Sequence, residues 1–231
     1  MLWYYDPVTY IILIVPCLIF ALIAQGKVQS SFSKYSKVYS RKALTAAQTT
    51  RIILDENGLN NVAIEHVAGN LSDHYDPTKN VIRLSDSVYN STSVAAIGVA
   101  AHEAGHAIQH ARQYLPIKIR TAIIPITQIG SNLAMPLILI GLLMSIMGLA
   151  YVGIVFFALS TIFQLVTLPV EFNASKRAME ILESKGMLES DELKGAKSVL
   201  SAAAMTYVAA LAVSLANLLR LILMVSGRRR R

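Results

Sequence analysis

Apolar residues along this chain fall into two regimes. Some segments are apolar nearly without interruption, and others alternate apolar and polar positions with helical or strand periods. The uninterrupted runs are Val8 to Ala24, about Met135 to Ala150, Tyr151 to Val170, and Val199 to Val225. Each approaches or exceeds the roughly 20 residues a membrane-spanning helix needs. The second and third adjoin near Gly148-Leu-Ala-Tyr151 with no charge between them, so a tight membrane hairpin is expected there. The last run contains Asn217 and Arg220 and is followed by four arginines, so it reads either as a fourth span or as a re-entrant helix.

The remaining segments carry the periods of a folded domain. Arg41 to Asn57 repeats apolar residues at helical spacing and ends at Gly58, where a left-handed cap is expected. Val62 to Val67, Leu71 to Tyr75 and Val81 to Leu84 read as two or three short strands around the turn-rich Asp76-Pro-Thr-Lys-Asn80. The last of these is expected to be a sheet edge to which an extended peptide can add. From Ser91 to Arg112 the spacing is helical again, with Asn90 or Ser91 as N-cap and Pro116 closing the far end. Its first half, Val94 to Ala101, is apolar all round, which marks a buried helix. Glu171 to about Lys197 reads as a polar helical interval.

Composition agrees with a membrane protein. Of 231 residues, 54% are hydrophobic and 15% charged, and the mean hydropathy is +0.50, too apolar for an ordinary soluble domain. The net charge of +7 is scattered beside the apolar runs or gathered in Arg228 to Arg231. That distribution suits anionic lipid headgroups and argues against nucleic acid. The single cysteine, Cys17, excludes an internal disulfide framework and a cysteine-based metal cluster. No Lys or Arg precedes the first apolar run, whereas Lys27, Lys34, Lys37, Arg41 and Lys42 come after it. The run therefore reads as a retained anchor, with the soluble segment on its C-terminal side in the cytoplasm.

The chemistry lies in His102-Glu-Ala-Gly-His106, which matches H-E-x-x-H. Residues four apart on a helix face the same way, about 6 Å apart along the axis, so both imidazoles can reach one zinc ion. Glu103 lies between them, placed to take a proton from a water held there. With five histidines and eight glutamates, chance would produce the pattern only about four times in a thousand such chains. Surface residues at this spacing are the plain alternative, and the apolar turns before His102 argue against it, because buried ionisable groups are costly without a partner. His110 lies about 12 Å from His102 along an unbroken helix, too far to share the metal, and reads as a helix-end residue.

A further ligand must come from elsewhere, and the downstream carboxylates are Glu171, Glu180, Glu183, Glu189, Asp191 and Glu192. Glu171 stands where the third apolar run meets the polar interval, with small Ala174 and Ser175 a turn later. A helix-terminal acid favoured by the macrodipole explains its position equally well. His74, Tyr75, Arg177 and Tyr207 are candidates for contact with substrate or a developing oxyanion, with ordinary polar positions the simpler account. His66 reads as a satisfied sheet residue.

The stretch Ala100-Ala-His-Glu-Ala-Gly-His-Ala-Ile-Gln109, together with Asp73-His-Tyr-Asp76, Leu84-Ser85 and Glu171-Phe-Asn-Ala-Ser-Lys-Arg-Ala178, resembles the YugP-type zinc metallopeptidases, membrane proteins of bacteria and archaea. The resemblance spans nearly the whole chain. It implies a glutamate-type zincin in which His102, His106 and Glu171 hold zinc and Glu103 is the base. Related membrane zincins often carry Glu-x-x-Ala-Asp, where this chain has Ser175. Asp73, Asp76 or a backbone carbonyl is then expected to orient an imidazole in its place.

The expectation is an α+β, mostly helical, zincin-like domain with a small β-sheet and three to four transmembrane helices. Its parts are an anchor (1–26), a catalytic domain (27–131), a membrane hairpin (132–170), a third-ligand segment (171–197), an apolar helix that spans or re-enters (198–226) and a basic tail (227–231). The expected activity is zinc-dependent hydrolysis of peptide bonds in proteins at or near the membrane, with the catalytic domain cytoplasmic in a multi-pass protein of the cell membrane. A metal-binding membrane scaffold without turnover is the alternative. A protease with its motif at mid-bilayer fits less well, because Val94 to Ala101 is too short to span. A lipid-binding protein would hold no stoichiometric metal.

Overall fold

A computed structural model describes residues 7–229 and the side chains of residues 8–227. Met1 to Asp6 and the side chains of Arg228 to Arg231, which bear on the expected charge asymmetry, lie outside it. The described elements are α1 (Pro7–Tyr35), α2 (Ala46–Glu56), β1 (Ala63–Val67), β2 (His74–Asp76), β3 (Val81–Ser85), α3 (Val94–Ala111), α4 (Leu115–Leu143), α5 (Met147–Ser184) and α6 (Ser190–Arg229). The fold is mostly helical with one three-stranded sheet, and four of its helices are long and apolar enough to cross a membrane. The chain divides into two compact units, one made of Gln25–Lys118 with Pro169–Met205 and the other of the remaining residues.

In the first unit the turns decide where elements begin. α2 starts later than its apolar period suggests, because Thr45 and Gln48 form a reciprocal capping box, Thr45 Oγ1 accepting from Gln48 N–H and Gln48 Oε1 from Thr45 N–H. It ends as expected at Gly58, whose φ of +72° lets Leu59 N–H reach back to Leu54 O (2.8 Å). Ser93, rather than Asn90 or Ser91, caps α3, its Oγ accepting from Ala96 N–H, and Ser91 Oγ supports Ser93 in turn. The far end of α3 closes at Gln113 (φ +55°), with Tyr114 N–H bonded to Gln109 O. Pro116 instead sits in the first turn of α4, where its missing N–H costs nothing.

Strand order is β1-β3-β2, with β1 parallel and β2 antiparallel to β3. Val81–Ser85 is therefore the central strand, which overturns the expectation of an edge there. Four of its five residues are buried, and its backbone groups already face partners on both sides. The edge beside the H-E-x-x-H motif is β2. Ile82 and Leu84 of β3 pack with Ile53 and Leu54 of α2, with Ile97, Ala100, Ala104 and Ile108 of α3, and with Leu182 of α5 in one core. Each large side chain buried this way contributes about 1.5–3 kcal/mol. The core covers α3 except at its last residue and along a narrow face that includes Val99, His102 and His110.

The interval from Glu171 to Lys197 is two helical pieces rather than one. α5 continues to Ser184 and stops because Gly186 takes φ +54° and Met187 N–H returns to Leu182 O, and α6 resumes at Ser190.

In the other unit, α4 and α5 meet at small residues. A side chain at Gly141 would lie 2.5 Å from the Ala150 nitrogen, and one at Gly153 would lie 2.7 Å from the Ala134 oxygen. The turn between these helices falls at 144–146, where Ser145 takes φ +58°, earlier than the expected Gly148 to Tyr151. Gly148 lies inside α5 with open space around it. Ile138, Ala150, Ile154, Leu221 and Val225 form a small core, and a Thr161–Ser214 hydrogen bond of 2.8 Å joins α5 to α6. Large apolar residues face outward, including Ile12, Ile129, Leu143 and Val155.

Candidate metal centre

Three groups converge on the uncovered face of α3. His102 Nε2 and His106 Nε2 lie 3.1 Å apart, and Glu171 Oε2 on α5 is 3.3 Å from the first and 3.5 Å from the second. The four-residue spacing on α3 brings the imidazoles together, with ring centroids 4.7 Å apart and planes nearly perpendicular. Gly105 admits the carboxylate. Its Cα faces the backbone of α5 so closely that an added Cβ would stand 2.7 Å from Ala174 O, so only glycine lets α5 approach near enough for Glu171 to arrive.

These distances suit a cation. A tetrahedral zinc with bonds of about 2.0–2.1 Å spaces its donors about 3.4 Å apart, which is the spacing of this triangle. The donor set, two imidazoles and a carboxylate, is one that zinc accepts. Glu171 is 3% exposed while the His102 side chain is 14% exposed, so the cluster is open on one side. Burial alone would lower the pKa of His106, but the hydrogen bond to Glu171 and the charges of Glu103 and Glu171 outweigh it and raise it above 6.5.

The other nitrogens of both imidazoles are also held. His102 Nδ1 lies 3.1 Å from Ser175 Oγ, so the serine that replaces the expected aspartate is itself the neighbour of that ring. Asp73 and Asp76 do not take the role. Asp73 accepts from Ser85 N–H and Oγ, and Asp76 from Thr78 N–H, Lys79 N–H and Arg83. His106 Nδ1 lies 3.1 Å from Gln109 Oε1. Sequence reasoning missed Gln109, although a signal was present: a glutamine three residues after His106, in a helix whose first half is apolar all round, must find polar partners if it is buried too.

Glu103 is buried on α3, and its Oε2 accepts from Tyr75 N–H of β2 at 2.9 Å. That N–H points away from β3, so the outer edge of β2 faces this carboxylate. Tyr75 also bonds Asn80 through its hydroxyl and packs its ring against His110, 5.5 Å between centroids, which makes His110 a neighbour of the strand as expected of a helix-end residue. His74 is exposed and lies against Ser72 O and Arg83. His66 pairs with Asp86 and stacks edge-on to Tyr89, the satisfied sheet residue anticipated. The other candidate carboxylates serve elsewhere or face solvent. Glu180 pairs with Lys176, Asp191 with Arg41, and Glu192 accepts from Arg41 N–H and Glu189 N–H, while Glu183 and Glu189 are exposed. Tyr207 belongs to the other unit, and Arg177 donates to Asn173.

Over residues 10–226 the chain matches the family described as "Putative neutral zinc metallopeptidase". The chain belongs to that family. It is also 48% identical over 220 residues, 95% of this chain and 98% of the relative, to a Bacillus subtilis (strain 168) protein named "Putative membrane protease YugP". No solved structure matches the chain. Membership of a zinc metallopeptidase family agrees with the His102, His106 and Glu171 cluster, the group among the described residues whose donor atoms lie close enough together to hold an ion.

Proposed function

We propose that this chain is a membrane-bound zinc endopeptidase in which His102, His106 and Glu171 hold the metal and Glu103 is the general base. The observation that carries the reading is the triangle of two imidazole nitrogens and one carboxylate oxygen, 3.1–3.5 Å on each side, with Glu103 on the same helix. Zinc in this site would supply a water of lowered pKa and polarise the scissile carbonyl. The protein's own groups do the remaining work. The Tyr75 N–H holds one oxygen of Glu103, fixing the carboxylate so that its other oxygen can take a proton from the attacking water. Glu103 then returns that proton to the leaving amine.

Membrane residence is supported by four helices of sufficient length and apolarity, by the outward-facing isoleucines, leucines and valines on them, and by the name of the relative. Substrates are then proteins or peptides at or near the bilayer. The basic residues Lys27, Lys34, Lys37, Arg41 and Lys42 favour the cytoplasmic side for the catalytic unit. Anionic lipid headgroups are the partners that these cations favour.

Substituting Glu103→Gln tests the catalytic assignment. The amide oxygen still accepts from Tyr75 N–H, so fold and zinc content should persist, while cleavage of a quenched-fluorescent peptide mixture in detergent should fall by at least about 100-fold. A variant that cleaves like wild type removes Glu103 from the mechanism. A wild type that binds zinc and cleaves nothing supports the scaffold instead.

A further inference from the structure

Gln109 is fully buried, and the backbone carbonyl beside its amide has a fixed polarity. Its Nε2 lies 2.8 Å from Val170 O, a carbonyl that can only accept, and 3.0 Å from Asn173 Oδ1. The amide nitrogen must therefore face α5, which turns Oε1 toward His106 Nδ1 at 3.1 Å. An oxygen there can only accept, so Nδ1 carries the imidazole proton and Nε2 presents its lone pair to the cluster. The orientation of Asn173 is settled the same way. Arg177 Nε, a donor that does not lose its proton, lies 2.7 Å from Asn173 Oδ1, so that atom is the oxygen.

Four residues thus form one directed chain. Arg177 donates to Asn173, Gln109 donates to Asn173 and to the carbonyl of Val170, and His106 donates to Gln109. The chain begins at a permanent cation about two turns of α5 past Val170 and ends at a ring nitrogen aimed at the proposed metal. It also ties α3 to the backbone next to Glu171, so the ligands from the two helices are brought into mutual register by one buried amide. A glutamine whose only duty was to fill space would need neither Asn173 nor Arg177.

We propose that Asn173 and Arg177 are positioning residues for the metal centre, acting through Gln109 to set which nitrogen of His106 is protonated and where its ring points. This rests on the zinc reading. The test uses the full-length protein in detergent, with zinc affinity measured by chelator competition and the absorption spectrum of the cobalt-substituted protein recorded beside it. Asn173→Leu removes the acceptor and should weaken zinc binding about 10–100-fold, the range typical for loss of a group that orients a ligand. Arg177→Met should weaken it in the same direction, and both should distort the tetrahedral cobalt spectrum. Asn173→Asp keeps an acceptor for both donors and should restore affinity and spectrum to near wild type. Melting of the metal-free variants, followed by circular dichroism, controls for folding.

Wild-type affinity and spectrum in Asn173→Leu and Arg177→Met would overturn the proposal while leaving the zinc reading intact. A defect in Asn173→Asp as large as that in Asn173→Leu would also overturn it, because the acceptor would then not be what matters. A wild type that binds no stoichiometric zinc would overturn both this proposal and the proposed function.

Discussion

Replacing Gly105 by alanine puts a methyl carbon 2.7 Å from Ala174 O and 3.3 Å from the Ala174 Cα and carbonyl carbon. Ordinary contact begins at 3.4 Å, so α3 and α5 must separate by about 0.7 Å along that line. The obstacle is backbone, which no rotamer change can move aside. Overpacking of this kind costs about 1–3 kcal/mol of stability. The same displacement carries Glu171 away from the histidines, and metal sites tolerate only about 0.2 Å of error in ligand distance. Zinc affinity should fall by at least about tenfold, equivalent to about 1.4 kcal/mol. Chelator competition in detergent measures the affinity, and thermal melting of the metal-free protein measures the stability. Gly26→Ala is the control, because Gly26 lies within a helix with open space around it and alanine should there be neutral or stabilising by about 0.5–1 kcal/mol. If Gly105→Ala binds zinc as tightly as wild type and melts with it, close approach of α5 is not what assembles the site.

Ser175→Ala deprives His102 Nδ1 of its neighbour and should weaken zinc binding about 10-fold, whereas Ser175→Asp, offering a charged acceptor, should bind zinc at least as tightly as wild type. Competition titrations of the pair check both directions. Asp76 is held below its ordinary pKa of 3.8, first by the Lys79 N–H and against the cost of desolvation, with Arg83 and Thr78 N–H adding to the effect. A lowered folded-state value means that the ionised carboxylate stabilises the fold above the unfolded value and that this stability is lost as pH falls through the folded one. The melting advantage of wild type over Asp76→Asn should accordingly be full above about pH 4 and shrink in more acid solution. An advantage independent of pH would contradict it.

The parts of the site that lie within one helix were legible in the sequence, because four-residue spacing alone aligns His102 and His106 and a buried run before them raises the cost of leaving them without a cation. Glu171 was legible only in part. Its place at the end of an apolar run fitted a helix-terminal acid equally well, and the resemblance to a zinc metallopeptidase family separated the two. Gln109, Asn173 and Arg177 escaped notice as a group because their meaning lies in contacts between α3 and α5, more than 60 residues apart, which no local period encodes. The edge strand was misassigned for a related reason. Val81 to Leu84 carries the residues of any short strand, and its central place comes from pairing with β1 and β2 together. Helix starts came later than the apolar period suggests where a side chain set the cap, as Thr45 and Ser93 do.

The central claim is that a metal ion is shared between two turns of α3 and a carboxylate of α5. Elemental analysis of the purified full-length protein beside Glu171→Ala tests it most directly. The account predicts about one zinc per wild-type chain and little or none in the variant after equal dialysis. Full zinc retained by Glu171→Ala, or a wild type devoid of zinc when purified without chelators, would contradict it.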